Sequence, residues 1–254
     1  MIHKTAIVSK EAKIGRGVEI GDYAIIEEDV EIGPGTRIGA FSLCLNGTRI
    51  GKDCKIYNNV TIGGEPQIKG WKAAKSYCFV GDRNVIREYV TIHRSSTEGS
   101  ATKIGDDNFI MATAHIAHNC QIGTGVIMTN YATLAGHVVV EDRAVISGLA
   151  AIHQFVRIGA LAMVGGGSKV VQDVPPYITV DGHPAAAVSL NTVGLQRSGI
   201  SSKVRQDLKV AYRFLYRSHL NITQALAKIE EEIPQSPEIA HLLEFIKSSQ
   251  RGIC

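Results

Sequence analysis

The chain has 254 residues, 44% hydrophobic and 20% charged, with a formal net charge of +3. That composition is globular, supplies ample apolar material for a core, and creates no global field of the kind that binds nucleic acid. Five cysteines without a C-x-x-C pair predict reduced thiols. With no apolar run of signal-peptide or membrane-span length, this reads as a cytoplasmic protein with no integral membrane segment.

From the N-terminus the dominant feature is a period of six. Ile2, Val8, Ile14, Ile20, Ile26, Ile32, Ile38, Cys44, Ile50, Ile56 and Ile62 lie on it, then Val80, Ile86 and Ile92, then every sixth residue from Ile104 to Val170. Of these 26 positions, 25 are Ile, Leu, Val or Met, and many are followed by glycine. One aliphatic per six residues does not make an amphipathic helix, which needs the 3.6 period. Hexads predict a parallel β-helix: a short strand, a corner, the next strand, with three hexads closing one triangular coil. Successive coils then stack about 4.8 Å apart with their aliphatics inside.

The series breaks at 63–79 and 93–103, which read as external loops; the first carries Gln67, Lys69, Lys72, Lys75 and the only Trp. Long loops on a rigid scaffold are commonly functional. The motif ends at Val174-Pro175-Pro176, giving a repeat domain over 1–174 and a tail over 175–254. After a short extended piece, the tail predicts helices capped by Ser201, by Asn221 and by Ser236-Pro237.

Between 104 and 174 the hexads are unbroken, so residues 18 apart stack. That arithmetic puts His118, Gly136, His137, His153 and Gln154 in one column, with His115 three residues before His118. Three readings fit four histidines on one patch. Polar corners of a β-helix can simply be solvated. His115, His118 and His137 could ligate a metal, although no acidic residue is placed to orient the imidazoles. Alternatively one histidine is a general base and the others bind substrate.

Six segments carry a resemblance: VGDRNVIREYVTIHR (80–94), AHIAHNCQIG (114–123), ATLAGHVVVED (132–142), AIHQFVRIGALAMVGGGS (151–168), QDVPPY (172–177) and NTVGLQRSGIS (191–201). With the hexads, over essentially the whole length, the chain resembles the bacterial UDP-N-acetylglucosamine acyltransferases that open lipid A synthesis. The resemblance implies an all-β left-handed parallel β-helix followed by a small α-helical domain, assembled as a homotrimer with active sites between subunits. It also implies a UDP-sugar substrate, a 3-hydroxyacyl donor, and no cofactor beyond the acyl-phosphopantetheine supplied on acyl carrier protein. His118 matches the family's base and Gly136 its oxyanion donor. His115, His137 and Gln154 match sugar and phosphate contacts, Asn191 and Arg197 nucleotide contacts, and Gly148 and Gly166 the acyl-pantetheine groove. Gln67 and Lys69 fall near the sugar's 3-position. Independently, Arg205, Lys209, Arg213 and Arg217 recur every four residues, forming a stripe that suits an acidic carrier protein if it is more than a solvated helix face.

Three departures stand out. The family's acid before the loop lysine is replaced in Gln67-Ile68-Lys69, the Asp after the base is Asn119, and the acid two beyond Asn191 is Val193. The first two remove negative charge near the reacting group. A neutral amine demands less of a base than an alcohol does. The acceptor is therefore either the ordinary sugar or its 3-amino analogue. The other class left open is a carbonic-anhydrase-like zinc lyase on the same fold.

Overall fold

A computed structural model describes residues 1–254. The hexads form the expected prism, a left-handed parallel β-helix. Its faces are sheets of nine, eight and ten strands. Face one runs from Ile7–Val8 to Lys169–Val170 and face two from Lys13–Ile14 to Arg157–Ile158. Face three starts at Glu19–Ile20 and ends with Ile178–Gly182 and Ala185–Leu190. Most strands are two residues long, with the first side chain outward and the hexad aliphatic inward, so the interior is a stack of Ile, Val and Leu with exposures near zero. Between them a column of small residues, Ala114, Ala132 and Ala150, leaves room at the corners.

Most corners turn on one residue with positive φ, and most of these residues are not glycine: Asn119, His137 and Phe155 sit at 62°, 61° and 67°. For ordinary L-residues this costs on the order of 1 kcal/mol each. The continuous ladder and filled interior offset that cost. Pairing advances by 18 residues per coil where hexads are unbroken, as in His115↔Thr133↔Ala151. It advances by 30 at Thr61↔Thr91 and by 24 at Thr91↔His115. Both are multiples of six, so each insertion leaves the interior stripe in phase.

The insertions are shorter than the breaks in the hexad series. Strands Thr61–Gly64, Tyr77–Val80, Thr91–His93 and Ala101–Ile104 recover backbone that reads as loop. Only 65–76 and 94–100 leave the coil, because the four-residue ladder Tyr77–Val80↔Ala101–Ile104 bonds residues that lack the hexad pattern. At the far end the prism runs past Val174. Ile158 bridges Val174, and Ile178–Gly182 continues face three in parallel before Ala185–Leu190 turns back antiparallel.

The tail holds four helices: α1 (Thr192–Arg197), α2 (Ser202–Tyr216), α3 (Ile222–Glu232) and α4 (Pro237–Lys247). Ser201, Asn221 and Ser236 cap the last three, Asn221 in a full capping box with Gln224. The hydrophobic core continues from the prism into these helices through Leu190, Leu195 and Leu208. Arg157 joins them to the prism by lying 4.1 Å over the Phe245 ring.

His241 on α4 makes a second junction, its Nε2 3.0 Å from Glu141 Oε2 and its Nδ1 3.1 Å from the Tyr177 hydroxyl. The hydrogen bond it donates to Glu141 holds its pKa above the usual value, against the opposing effects of burial and Arg157. A raised folded pKa adds stability that is complete below the unfolded value, near 6.5, and lost as pH rises through the folded one. Wild type should therefore exceed His241→Gln in Tm at about pH 6, with the gap closing by about pH 9. Thermal unfolding of both proteins across that range measures it, and a gap independent of pH would discard the ion pair.

Candidate active site

Faces one and two meet at a corner formed in successive coils by 65–76, 94–100, 117–119, 135–137 and 153–155. Both insertions therefore project from the corner that carries the histidine column. Gln67 and Lys69 are exposed on the first insertion, and His115, His118, Gly136, His137, His153 and Gln154 lie in the coils beyond it. The eighteen-residue stack is visible in the backbone: His137 N–H donates to the His118 carbonyl at 3.0 Å and Phe155 N–H to the Gly136 carbonyl at 3.2 Å.

His118 is buried, and its ring covers Gly136 so closely that a Cβ there would lie 2.5 Å from Cε1 and 2.7 Å from Nε2. The ring meets His137 edge to face at 5.3 Å, and His137 in turn stacks on Phe155 at 4.7 Å. His118 Nδ1 lies 2.8 Å from Asn119 Oδ1, while its Nε2 has no partner. The Gly136 N–H is also unpartnered. At the equivalent corner position the N–H of Ala40, Lys52, Asp82 or Thr124 donates to an Asn or Asp side chain of the next coil, whereas at Ala112, His118, Asn130, Gly148 and Gln154 it is free, as at Gly136. Gln154 stacks above Gly136 and does not accept from it. A proton acceptor and a free backbone donor thus sit side by side.

His93 belongs to this patch and was hidden by reading 93–103 as loop. It is buried against Gly64, its Nδ1 donates to the Glu65 carbonyl, and its ring meets His115 at 5.2 Å. His93 directly follows the hexad residue Ile92, as His153 follows Ile152, and that position was the available signal. His115 Nδ1 is 2.8 Å from Thr91 Oγ1. Burial, reinforced by His93, pushes His115 down to about 4. Burial likewise lowers His93 and His137, each with a smaller contribution from His118. All three are neutral at physiological pH; the single N–H of His93 is taken by the Glu65 carbonyl, while His115 and His137 can each offer one N–H donor without adding charge.

The remaining residues singled out in the sequence lie elsewhere. Gly148 and Gly166 occupy the corner between faces three and one. A Cβ at Gly166 would meet nothing nearer than 3.5 Å, so packing within one chain does not require glycine there. Asn191 sits beside the third corner. Its Nδ2 donates to the Leu161 carbonyl at 2.8 Å and its Oδ1 accepts the Gly194 N–H at 3.0 Å, so its side chain is committed as the cap of α1. The nucleotide contact expected of it would have to share these bonds. Arg197 is exposed at the end of α1. On α2 and its C-cap, Lys209, Arg213 and Arg217 are exposed without acidic partners, while Arg205 is half-buried and donates to the Ile200 carbonyl. No three His, Cys, Asp or Glu side chains converge as a metal-ligand set.

Residues 173–254 match the family model described as UDP N-acetylglucosamine O-acyltransferase, domain 2. Residues 101–136 match bacterial transferase hexapeptide (six repeats), and residues 2–97 match the GMPPB C-terminal domain. The acyl-[acyl-carrier-protein]–UDP-N-acetylglucosamine O-acyltransferase of Thermodesulfovibrio yellowstonii is 53% identical, the match covering 100% of this chain and 98% of that protein. Its counterpart in Halorhodospira halophila is 44% identical, with 99% and 98% covered. The crystal structure of a UDP-N-acetylglucosamine acyltransferase from Bacteroides fragilis covers 100% of both chains with a TM-score of 0.97 at 39% identity. Relatives this similar over their full length show that the chain belongs to the acyl-[acyl-carrier-protein]–UDP-N-acetylglucosamine O-acyltransferase family.

Proposed function

We propose that this enzyme moves a 3-hydroxyacyl chain from acyl carrier protein to the 3-position of UDP-N-acetylglucosamine or its 3-amino analogue, the first step of lipid A biosynthesis, with His118 as general base. The observation that carries this reading is the free Nε2 of His118 beside the free N–H of Gly136. His118 Nε2 takes the proton of the acceptor as its oxygen or nitrogen attacks the thioester carbon. The Gly136 N–H donates to the oxyanion that forms. Collapse breaks the C–S bond, and the imidazolium returns the proton to the departing thiolate, leaving His118 neutral for the next cycle. Neutral His115, His137 and Gln154 supply hydrogen bonds to the sugar nucleotide, and Gln67 and Lys69 reach the sugar from the inserted loop.

Asn119 and Gln67 leave the base without a negative neighbour, which favours an acceptor already nucleophilic when neutral. Purified enzyme given 3-hydroxyacyl carrier protein and each acceptor should acylate the amino sugar faster. Preference for UDP-N-acetylglucosamine would overturn the amine reading and leave ester formation. Transfer to neither would overturn the proposal. The zinc-lyase alternative is not adopted, because the full-length relatives are acyltransferases.

A homotrimer fits the dispersal of site residues over three corners. Gly148, Gly166, Asn191 and Arg197 meet the His118 corner only if another copy supplies them. Face three offers a surface for that contact, with Val85, Phe109, Ile127, Val145 and Met163 stacked in register on its outside. The unpaired cations of α2 and its C-cap suit an acidic carrier protein, and the five unpaired thiols suit a cytoplasmic location.

A further inference from the structure

We propose that Ser95 and Ser96, on the second insertion, are positioning residues that hold His118 in its Nδ1–H tautomer by fixing the amide of Asn119. The inference rests on the reading of His118 as the base. A histidine flanked by asparagine has no inherent tautomer, because an amide presents an acceptor at one end and a donor at the other. Turned one way Asn119 makes Nε2 the lone pair. Turned the other way its Nδ2 would donate to a proton-free Nδ1 and leave Nε2 protonated and useless as a base.

The structure breaks this symmetry with a group that cannot reverse. The backbone N–H of Ser96 is a donor only, and it lies 3.0 Å from one polar atom of the Asn119 side chain, which must therefore be Oδ1. The Ser96 hydroxyl donates to the same oxygen at 2.8 Å. The other end, Nδ2, donates to Ser95 Oγ at 2.7 Å. The Asn119 backbone is pinned as well, its N–H donating to Thr102 Oγ1 at 2.8 Å. With Oδ1 facing His118 Nδ1 at 2.8 Å, the proton in that bond belongs to the imidazole, and the lone pair stands on Nε2 beside Gly136.

The serines are held in turn by the first insertion. Trp71 Nε1 donates to the Ser96 carbonyl at 3.1 Å, Ser76 Oγ donates to the Ser95 carbonyl at 2.5 Å, and Lys75 N–H donates to Glu98 at 2.7 Å. Ser95 is fully buried. The loop that carries Gln67 and Lys69 thus reaches the base through Ser95, Ser96 and Asn119. A carboxylate at position 119 would need no such arrangement, since both its ends accept. Asparagine makes the serines necessary.

The test combines histidine ¹⁵N spectra with steady-state kinetics of the full-length enzyme, His118 being assigned by its loss in His118→Gln. Wild type should show a protonated Nδ1 and a bare Nε2. Ser95→Ala/Ser96→Pro, which removes the Ser96 N–H together with both hydroxyls, should mix the tautomers and lower kcat about tenfold, with the KM for the sugar nucleotide within about twofold. Placed on Asn119→Asp, the same serine changes should alter kcat less than about twofold relative to Asn119→Asp alone. A protonated Nε2 in wild type overturns the proposal. So does an undiminished kcat in the double variant, or an equal loss on both backgrounds, which would mean only that the loop is disturbed. If His118→Gln keeps its activity, the base assignment fails instead, while the tautomer spectra still report on the serines.

Discussion

Replacing His118 with alanine is expected to lower kcat about a thousandfold, within the range a positioned general base contributes. The alcohol of a sugar is a poor nucleophile until its proton is leaving, and the side chain packed closest against Gly136 is the His118 ring. The loss should be smaller with the 3-amino acceptor, whose lone pair attacks before deprotonation. KM for the sugar nucleotide should change little, because His118 Nε2 acts on a proton in flight and not on the ground state. Single-turnover acyl transfer with both acceptors, alongside thermal unfolding, separates chemistry from folding. A kcat within about tenfold of wild type would remove His118 from the role of base.

Gly136→Ala should cost about a hundredfold in kcat, for a reason that involves no new chemistry. Gly136 lacks a positive φ, and alanine occupies the same corner position at Ala40 and Ala160, so the backbone accepts a Cβ. The obstacle is the His118 ring, which that Cβ would meet at 2.5 Å, nearer than van der Waals contact allows. The ring must swing aside, which takes Nε2 away from the Gly136 N–H and strains the bond to Asn119. Because the ring can move at modest cost, Tm should hold while turnover falls. Wild-type turnover in this variant would show that the contact between His118 and residue 136 has no bearing on catalysis. A large drop in Tm would show the glycine to be needed by the coil.

The sequence carried the site as far as its periodicity reached. His118, Gly136 and Gln154 fall 18 residues apart with no insertion between them, so a count places them in register. Where the count is interrupted, legibility ends. His93, Ser95 and Ser96 precede Ile104, across an insertion whose length says nothing about its path. Phe155 carries no titratable group to mark it in the sequence; only its stacking on His137 ties it to the site. The short helix α1 carries no sequence signal, because six residues whose first three are all β-branched or glycine give no helical period. Asn191 was read through its resemblance as a ligand contact, whereas within this chain it is a helix cap with both ends bonded.

The amino-acid sequence by itself determined the prism, because one inward aliphatic per six residues leaves a chain few other ways to bury them. It also determined which residues share a corner, since stacked strands repeat at a fixed spacing. What only the tertiary structure decided is the condition of the groups at that corner: which nitrogen of His118 bears the proton, which way Asn119 faces, and which backbone N–H is left free. Those depend on hydrogen bonds between residues 17 to 24 apart that bridge coil and insertion. Hydrogen bonds are directional and short-ranged, so they follow from where atoms finally lie and not from the period that brought the strands together.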